Sequence, residues 1–579
     1  MERATRREIA RQMTTRARPA ATPRARSSAS LAAPRVRFAR WSGAVRRGVR
    51  CRANRVALTL DEALQRARDA LDANDGRSYS LWGRGKHLGL PALWCLRVDD
   101  EAFVEETMNA ELCYVSGRSR GRDGTCWEVD FSGYAQRLEF DDAEASTMSA
   151  WTRSGYWASE ACANGDLDMR LIDGEDESGA VTIEMRLRRG GRVRGELELD
   201  ASTFVPRRLR VSVCGDEDEW TFEDWTRDAR SGVTYARTTR LYGANGGMQE
   251  FIVEGSAMGR SKEGRGVFEQ PKSATPPTVE FDSAVDPEIP VLRASSSHVL
   301  VEPIIDGKRA GPFILDTGAS GLVITPKAAA RLGLRAFGEV HVSGVSGRVP
   351  CQFRRAEELK LGPLTLKRPV FMEMRLDGIV TGSPKPVAGI IGFDAFKSSV
   401  LSVAEQGRRV HIYESSNTSA IDESWAWQDL HLVSNVPHVA ATFSGVNDSH
   451  KEEPNIFMID SGAGGADVIF HSKAVEELGL SELLGPEGGR VSSRVRGVSG
   501  ANGEGSSALT YRTTMDWLQL VSANAKGERV RFEEIDTLLA SGEGFSLSEH
   551  SCGMICARLL SKKRIVYDVP RRRIAFVDE

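Results

Sequence analysis

The sequence lacks a long apolar run and an excess of charge of either sign. Its 77 Lys and Arg residues are balanced by 80 Asp and Glu, which gives a net charge of −3. A near-neutral chain has no electrostatic basis for nucleic acid as its main partner, and no apolar run approaches the length that spans a bilayer. With 579 residues, of which 41% are hydrophobic and 27% charged, the composition indicates a multidomain globular protein without a transmembrane segment.

Several common catalytic motifs are also missing. The chain has no Gly-x-Ser-x-Gly nucleophile motif, no His-Glu-x-x-His zinc motif and no phosphate-binding P-loop. Its nine cysteines are odd in number, scattered and without zinc-ligand spacing, so we expect neither a metal site nor a cofactor. The close pair Cys552 and Cys556 would suit a redox couple, but buried structural thiols are the preferred interpretation.

The first 53 residues have the composition of a targeting peptide. They are rich in Arg, Ala and Ser and contain no acidic residue after Glu8. They lack the continuous apolar segment of a secretory signal, and the stretch "VRCRA" at 49–53 resembles a plastid processing site. We therefore predict a disordered transit peptide that directs the protein to the chloroplast. The mitochondrion is the alternative destination, and a disordered basic tail is the alternative interpretation.

The region 54–262 has the pattern of an antiparallel β domain. Segments such as "GAVTIEMRLRR", "GRVRGELELDA" and "RRLRVSV" alternate apolar and polar residues and are separated by Gly or Asp turns. This alternation is typical of a sheet with one buried face. The segment 263–290 is rich in Pro, Ser and charge, which predicts a linker before the chain changes character.

The remaining half of the chain contains an internal repeat. The phrase "FILDTGASGLVITPKAAARLGL" begins at Phe313, and "FMIDSGAGGADVIFHSKAVEELGL" begins at Phe457. Each is followed, in the same order, by a Gly-rich hairpin, an apolar strand and a closing hairpin. Each unit predicts a buried strand that ends in an aspartate, Asp316 in the first and Asp460 in the second. We place the two units at 291–418 and 419–579.

These two units resemble the lobes of an aspartic protease. The resemblance rests on Asp-Thr-Gly-Ala at Asp316, Asp-Ser-Gly-Ala at Asp460 and the apolar element "GIIG" at 389–392. The units are short and their hairpin tips lack tyrosine, so they are more similar to retropepsin-like domains than to pepsin. The resemblance implies a mainly β fold with two retropepsin-like lobes after the β-rich N-terminal domain. The phrases "ELELDASTFVPRRLRV" and "WTFEDW" in that domain resemble a domain that precedes aspartic-protease domains in some bacterial proteins and is related to lipoprotein carriers.

The chemistry of peptide hydrolysis explains why two copies are needed. Without a metal or a covalent intermediate, one ionised carboxylate must deprotonate a water and one protonated carboxyl must polarise the carbonyl. Two carboxyls about 3 Å apart share a proton and thereby supply both forms. We therefore predict Asp316 and Asp460 as the catalytic pair. Because one chain carries both, we expect a monomer.

The residues beside each aspartate have roles that the resemblance implies. Thr317 and Ser461 would cross-brace the two loops, while Gly318 and Gly462 would allow the tight turn and leave room for substrate backbone. Two Gly-rich hairpin tips are candidate flaps over a bound peptide, with plain hairpin turns as the alternative. The candidate flap residues are Gly344, Val345, Ser346, Gly497, Val498 and Ser499.

The second unit departs from the family pattern in two places. Gly464 replaces the Ser or Thr that usually ends the motif, and Cys556 with Ala557 stands where the first unit has Gly392 with Phe393. These changes bear on the packing of the unit more than on its chemistry. They leave open a degenerate, inactive second lobe.

The leading functional hypothesis is an aspartic endopeptidase that acts on peptide or protein substrates. An extended peptide would add a strand in the cleft through backbone hydrogen bonds. The alternative belongs to another class: a non-catalytic protein whose curved N-terminal sheet holds a lipid or other apolar ligand on a degenerate protease scaffold. Affinity for pepstatin, a mimic of the transition state, distinguishes the two.

Overall fold

The computed structural model describes most of the chain after the predicted transit peptide. The described residues are 58–73, 77–121, 124–173, 180–213, 216–243, 247–259, 265–272, 276, 278–344, 347–377, 379–380, 382–417, 421–445, 453–484, 491–496, 507–521, 530–541 and 548–578. They belong to one compact unit, Ala57–Glu579. The transit peptide predicted at 1–53 lies outside the described residues.

The N-terminal region forms one antiparallel sheet in which, among the described residues, thirteen strands follow one another. In the strand Gly195–Asp200 every second residue is buried, which is the burial pattern that the alternating sequence predicts. In their order across the sheet the strands are Ala135–Arg137, Cys126–Val129, Cys113–Arg118, Ala102–Asn109, Leu90–Asp99, Ser78–His87, Gly247–Met258, Thr234–Gly243, Asp216–Arg227, Pro206–Val213, Gly195–Asp200, Ala180–Leu187 and Leu167–Asp173.

Two helices cover the inner face of this sheet. The helix Leu60–Leu71 begins with a capping box, in which the Thr59 hydroxyl accepts from the Glu62 N–H and the Glu62 carboxylate accepts from the Thr59 N–H. The apolar side of this helix and that of the longer helix Phe140–Ser154 pack into the core that the sheet strands supply. Part of the inner face of the N-terminal sheet is therefore covered by the chain's own helices.

The first repeat unit forms a sheet with two parallel pairs at its centre. The strand Gly389–Ile391 runs parallel to Phe313–Leu315 and antiparallel to Leu322–Ile324. In order across the sheet, the strands are Val291–Arg293, Val299–Val301, Phe313–Leu315, Gly389–Ile391, Leu322–Ile324, Val370–Glu373, Gly347–Arg355 and Arg335–Gly344.

The second repeat unit forms a sheet with the same arrangement. The strand Ser551–Cys556 runs parallel to Asn455–Asp460 and antiparallel to Val468–Phe470. The strands lie in the same order relative to the chain as those of the first sheet: His431–Val433, Val436–Phe443, Asn455–Asp460, Ser551–Cys556, Val468–Phe470, Arg531–Ser541, Ser507–Leu520 and Val491–Arg496. Similar phrases in the sequence thus fold into sheets of one topology.

A further antiparallel sheet takes strands from both units. At its centre Ser399–Ala404 pairs with Arg564–Asp568, which joins the two halves of the repeat. Its order is Glu288–Ile289, Arg409–Glu414, Ser399–Ala404, Arg564–Asp568, Arg573–Val577 and Trp427–Asp429. A small sheet beside the first unit has the order Val279–Phe281, Leu364–Lys367, Glu358–Leu361, Ile304–Ile305 and Lys308–Arg309. One apolar core runs through the two units and the sheet that joins them.

The helices outside the N-terminal sheet are short. The α-helices are Pro326–Leu332, Phe393–Phe396, Ser472–Glu477 and Ala557–Leu560. Single turns of 3₁₀ helix occur at Tyr156–Ala158, Arg265–Phe268, Glu405–Gly407, Leu480–Leu484 and Val569–Arg571, with one π-helical turn at Cys162–Asp166.

The predicted fold class, a mainly β protein with an antiparallel β-rich N-terminal region, is confirmed. The domain boundaries at 262, 290 and 418 stay predictions. Two short strands inside the predicted linker, Val279–Phe281 and Glu288–Ile289, pair with strands of the first unit. Within the described residues, no helix is long and apolar enough to cross a membrane.

The two cysteines near the C-terminus are buried thiols. Cys552 is 6% exposed and Cys556 is fully buried. Burial raises the pKa of both thiols, which disfavours the reactive thiolate. The preferred interpretation as structural thiols agrees with this environment.

Candidate active site

Asp316 and Asp460 occupy equivalent places in the two sheets. Asp316 directly follows the strand Phe313–Leu315, and Asp460 is the last residue of the strand Asn455–Asp460. Each of these strands runs parallel to the apolar strand at the centre of its unit. The Asp316 N–H donates to the Ile391 carbonyl at 3.0 Å, which fixes where the chain leaves the first sheet. Both carboxyl-bearing residues are half-buried. Two apolar strands thus deliver the two aspartates to the ends of neighbouring sheets.

The two loops are tied to each other by reciprocal hydrogen bonds. The Thr317 N–H donates to Ser461 Oγ, and the Ser461 N–H donates to Thr317 Oγ1, both at 3.0 Å. The Thr317 hydroxyl also donates to the Ile459 carbonyl at 2.8 Å, and the Ser461 hydroxyl donates to the Leu315 carbonyl at 3.0 Å. Thr317 is only 3% exposed, so these hydrogen bonds, which we call the brace, are shielded from water. Each loop therefore supplies hydrogen-bond partners to the strand that carries the other aspartate.

Gly318 and Gly462 bring the two carboxyl groups close to the opposite loop. Each glycine N–H donates to Oδ1 of the aspartate two residues earlier, at 2.8 Å. A Cβ atom on Gly318 would lie 2.5 Å from Asp460 Cγ, and one on Gly462 would lie 2.4 Å from Asp316 Cγ. These distances are too short for any real Cβ atom, so the close approach needs glycine at both positions.

The environment of the pair favours the protonated form of both carboxyls. Burial, followed by the charge of Asp460, raises the pKa of Asp316 well above its usual range. Burial also raises the pKa of Asp460, but the N–H groups of Gly462 and Ala463 and a hydrogen bond from Asp316 oppose that rise. Because each carboxyl raises or lowers the pKa of the other and burial raises both, the two can share one proton between them. The pair offers an acid and a base side by side.

His298 is a site residue that the sequence analysis missed. Its Nε2 lies 2.9 Å from the Gly462 carbonyl and its Nδ1 lies 2.8 Å from Ser296 Oγ. Because a carbonyl can only accept, Nε2 carries the hydrogen and Nδ1 accepts from the hydroxyl. Burial lowers the pKa of this imidazole, in keeping with a neutral ring that holds the second loop from the first unit. In the sequence, the segment "SSSHVLV" has the pattern of an ordinary strand start, so no motif identifies His298 as a site residue.

The departures in the second unit leave the local hydrogen bonds unchanged. In the first unit the Phe393 N–H donates to the Ala319 carbonyl, and in the second the Ala557 N–H donates to the Ala463 carbonyl, each at 3.0 Å. A short helix begins at Phe393 and at Ala557. The replacement of Gly392 by a cysteine in the second unit therefore does not disturb the connection behind the loop.

The candidate flap residues are only partly described. Gly344 ends the strand Arg335–Gly344, which pairs with Gly347–Arg355 as one arm of a hairpin. The residues Val345, Ser346, Gly497, Val498 and Ser499 lie outside the described residues. The role of both hairpin tips as flaps stays a prediction.

A cavity of about 660 Å³ lies beside the loop that follows Asp316. Gly318, Leu322 and His341 of the first unit and Met458 of the second line it. This volume falls in the range of about 300–1,000 Å³ that is typical of ligand sites. In the described part of the chain, no group of three or more His, Cys, Asp or Glu side chains is placed to hold a metal ion.

A comparison with protein-family models finds a match in the first repeat unit. Residues 301–395, which contain Asp316, match the family model described as aspartyl protease. The match ends before the second unit. No curated protein matches the chain.

Two solved structures are similar to the chain at low sequence identity. Basic 7S globulin from soybean is 12% identical, with 51% of this chain and 94% of that chain covered and a TM-score of 0.33. A DUF1329 family protein from Desulfovibrio piger is 13% identical, with 36% and 95% covered and a TM-score of 0.25. At TM-scores this low, neither similarity assigns a fold or a function to this chain.

Proposed function

We propose that this chain is an aspartic endopeptidase in which two retropepsin-like lobes of one polypeptide form the active site. The observation that carries the proposal is the pair Asp316 and Asp460, whose carboxyl pKa values are both raised and whose loops are joined by the reciprocal hydrogen bonds of Thr317 and Ser461. The aspartyl protease match around Asp316 supports it. The chloroplast destination and the monomeric state are parts of the same proposal.

In the proposed mechanism each carboxyl has a separate role. Asp460, whose Oδ1 accepts from the Gly462 N–H, is the ionised partner and takes a proton from the attacking water. Asp316 holds the shared proton and donates it toward the carbonyl oxygen of the scissile peptide bond. When the tetrahedral intermediate collapses, Asp460 gives its proton to the leaving amine and Asp316 takes a proton back from a hydroxyl of the intermediate, so the pair again holds one shared proton.

The alternative, a non-catalytic protein that holds an apolar ligand in the N-terminal sheet, has less support. The core on the inner face of that sheet already includes side chains of the helices Leu60–Leu71 and Phe140–Ser154. A ligand in the manner of a lipid carrier would have to displace them or occupy the cavity that the sheet shares with the repeat units. The cavity that does adjoin this region opens beside Gly318, next to the aspartates. The placement favours the protease.

Hydrolysis of a peptide library by the purified full chain, with and without pepstatin, tests the proposed function. We expect cleavage that pepstatin abolishes, that a chelator leaves unchanged, and whose specific rate is constant on dilution because both aspartates lie in one chain. A degenerate lobe would bind pepstatin poorly and cleave nothing. Absence of both would contradict the proposal and favour the ligand-binding alternative.

Thr317→Ala is expected to lower stability and activity together. The variant leaves the Ser461 N–H and the Ile459 carbonyl without their partner, a loss of about 2 kcal/mol for two buried hydrogen bonds. Thr325→Ala is the matched control, since it removes only the N-cap of the helix Pro326–Leu332 at a cost of about 1 kcal/mol. We expect a lower urea midpoint in both variants but a lower kcat/KM only in Thr317→Ala. An equal loss of kcat/KM in both would contradict the brace as a positioning element.

A further inference from the structure

The N-terminal region packs against both repeat units beside the cavity. The Leu88 carbonyl accepts from the Glu339 N–H at 2.9 Å, next to the hairpin that carries the first candidate flap. On the second unit, the Asp142 carboxylate accepts from the N–H and the hydroxyl of Ser434. On the first, the fully enclosed Lys397 ammonium, 2% exposed, lies 2.6 Å from an Asp130 oxygen. The region is thus docked to both lobes by buried polar contacts.

Because of this docking, the cavity is lined by the N-terminal region as well as by the repeat units. Its lobe side includes Gly318, whose neighbour along the chain is Thr317 of the brace, and its opposite side is formed by the N-terminal sheet and the helix Phe140–Ser154. From that side Tyr114, Glu128 and Ser146 face the same space. A peptide placed against the two aspartates would therefore contact the N-terminal region as well as the lobes.

The charges that line the cavity are of one sign. Carboxyl side chains line it, and no Lys or Arg does so in the described residues; the carboxyls are those of Glu128, Asp130, Asp142, Asp218 and Asp394. Asp130 and Asp394 are both compensated by the Lys397 ammonium behind them, at 2.6 Å each. Asp142 is satisfied by Ser434. Glu128 is different, because the partner seen among the described residues is a neutral amide, Gln136 Nε2 at 2.5 Å.

Gln136 gives a second sign that a donor is missing at this place. The side chain is 5% exposed and bridges two residues of the cavity wall, since its Nε2 donates to Glu128 and to Asn435 Oδ1. Its own Oε1, buried in the same cluster, has no hydrogen-bond partner among the described residues. A buried acceptor without a donor is costly, and this one lies beside Glu128 and Asn435, which line the cavity, although Gln136 itself does not.

We propose that the N-terminal region forms a substrate-selecting wall of the cavity and that Glu128 binds a basic side chain of the substrate peptide. The inference rests on the proposed function, because it names the substrate class of the same site. A lysine or arginine head group supplies a charged hydrogen-bond donor in direct contact with Glu128, which the neutral amide of Gln136 does not.

The electrostatic state of Glu128 agrees with such a ligand. Burial is the largest cause that raises the pKa of this carboxyl to about 7. The hydrogen bond from Gln136 opposes the rise, Asp142 and Asp130 add to it, and the charge of Lys397 opposes it without offsetting the burial. A cation bound beside it would stabilise the ionised form and offset the unfavourable burial.

Peptide binding to a catalytically disabled full chain tests this wall independently of hydrolysis. The probes are six-residue, alanine-based peptides with one lysine placed at each position in turn, and a matched set with norleucine in its place. With Asp316→Asn as the background, we expect at least one lysine peptide to bind about 10-fold more tightly than its norleucine partner. Adding Glu128→Gln, which keeps the size of the side chain, should abolish that preference. Adding Glu254→Gln, at an exposed carboxylate paired with Arg84 outside the cavity, should not.

A second variant covers the case in which Glu128→Gln does not fold. Ser146→Phe adds bulk to the same wall from the helix Phe140–Ser154 and should weaken the lysine and norleucine peptides alike. Equal binding of both peptide sets, or a preference that survives Glu128→Gln, overturns the proposal, as does full binding by Ser146→Phe. If the natural chain cleaves no peptide but the lysine preference depends on Glu128, the substrate-selecting wall is sustained and the protease proposal is refuted. If the natural chain cleaves peptides but shows no lysine preference, the protease proposal is sustained and the selecting wall is refuted.

Discussion

Asp316→Asn and Asp460→Asn should each lower peptide hydrolysis at least about 1,000-fold, within the range that a positioned acid or base contributes. The amide keeps the size and much of the hydrogen bonding of the carboxyl, but it can neither take a proton from water nor share one with its partner. The loss should be similar for both positions because one carboxyl of each form is required. The exposed Asp377 provides the control, since Asp377→Asn should leave kcat/KM unchanged. A tenth or more of the activity in either active-site variant would contradict the two-carboxylate mechanism.

The stability of Asp316→Asn relative to the natural sequence should increase as pH rises. The fold raises the pKa of Asp316, so the folded state binds the proton more tightly than the unfolded chain does. That contribution to stability is fully present below the unfolded pKa of about 3.9 and is lost as pH rises through the folded value. Asp316→Asn has no such proton to lose. We expect its melting temperature, relative to the natural sequence, to increase between pH 4 and pH 8. A difference that is constant over this range would contradict the raised pKa.

Gly462→Ala should remove at least about 100-fold of the activity, although it adds a single methyl group. The new Cβ would lie 2.4 Å from Asp316 Cγ, so the carboxyl must move away from its partner. A displacement of about 1 Å at reacting groups is sufficient for a loss of this size. Neither Gly462 nor Gly318 has a positive φ, so the alanine itself is not strained in the backbone and the effect is steric.

The neighbouring Gly464→Ala is the control for this change. Its Cβ would lie 3.4 Å from the Ser296 carbonyl oxygen, an ordinary contact. We expect kcat/KM within a few-fold of the natural sequence for Gly464→Ala, and a large loss for both Gly462→Ala and Gly318→Ala. If all three substitutions had similar effects, the close approach of glycine and carboxyl would not be what positions the pair.

The sequence by itself determined the features that depend on local pattern. Alternating polarity predicts the antiparallel N-terminal sheet, since side chains of a strand face opposite sides in turn. The phrase repeated at Asp316 and Asp460 predicts two strands that end in aspartate, because an apolar run followed by a turn with glycine reads the same wherever it occurs. The similar surroundings of the two phrases also predicted that the loops belong together, before any distance was known.

Only the tertiary structure decided which distant residues support or border that pair. His298 reaches the carbonyl of Gly462, 164 residues away, and Gln136 reaches Asn435, 299 residues away. Such contacts leave no periodic signal, because they depend on how whole sheets dock and not on the spacing of residues within one strand. The position of the N-terminal region beside the aspartates is of the same kind. Its sequence predicts a sheet with one buried face, but the cavity that it shares with the lobes arises from docking alone.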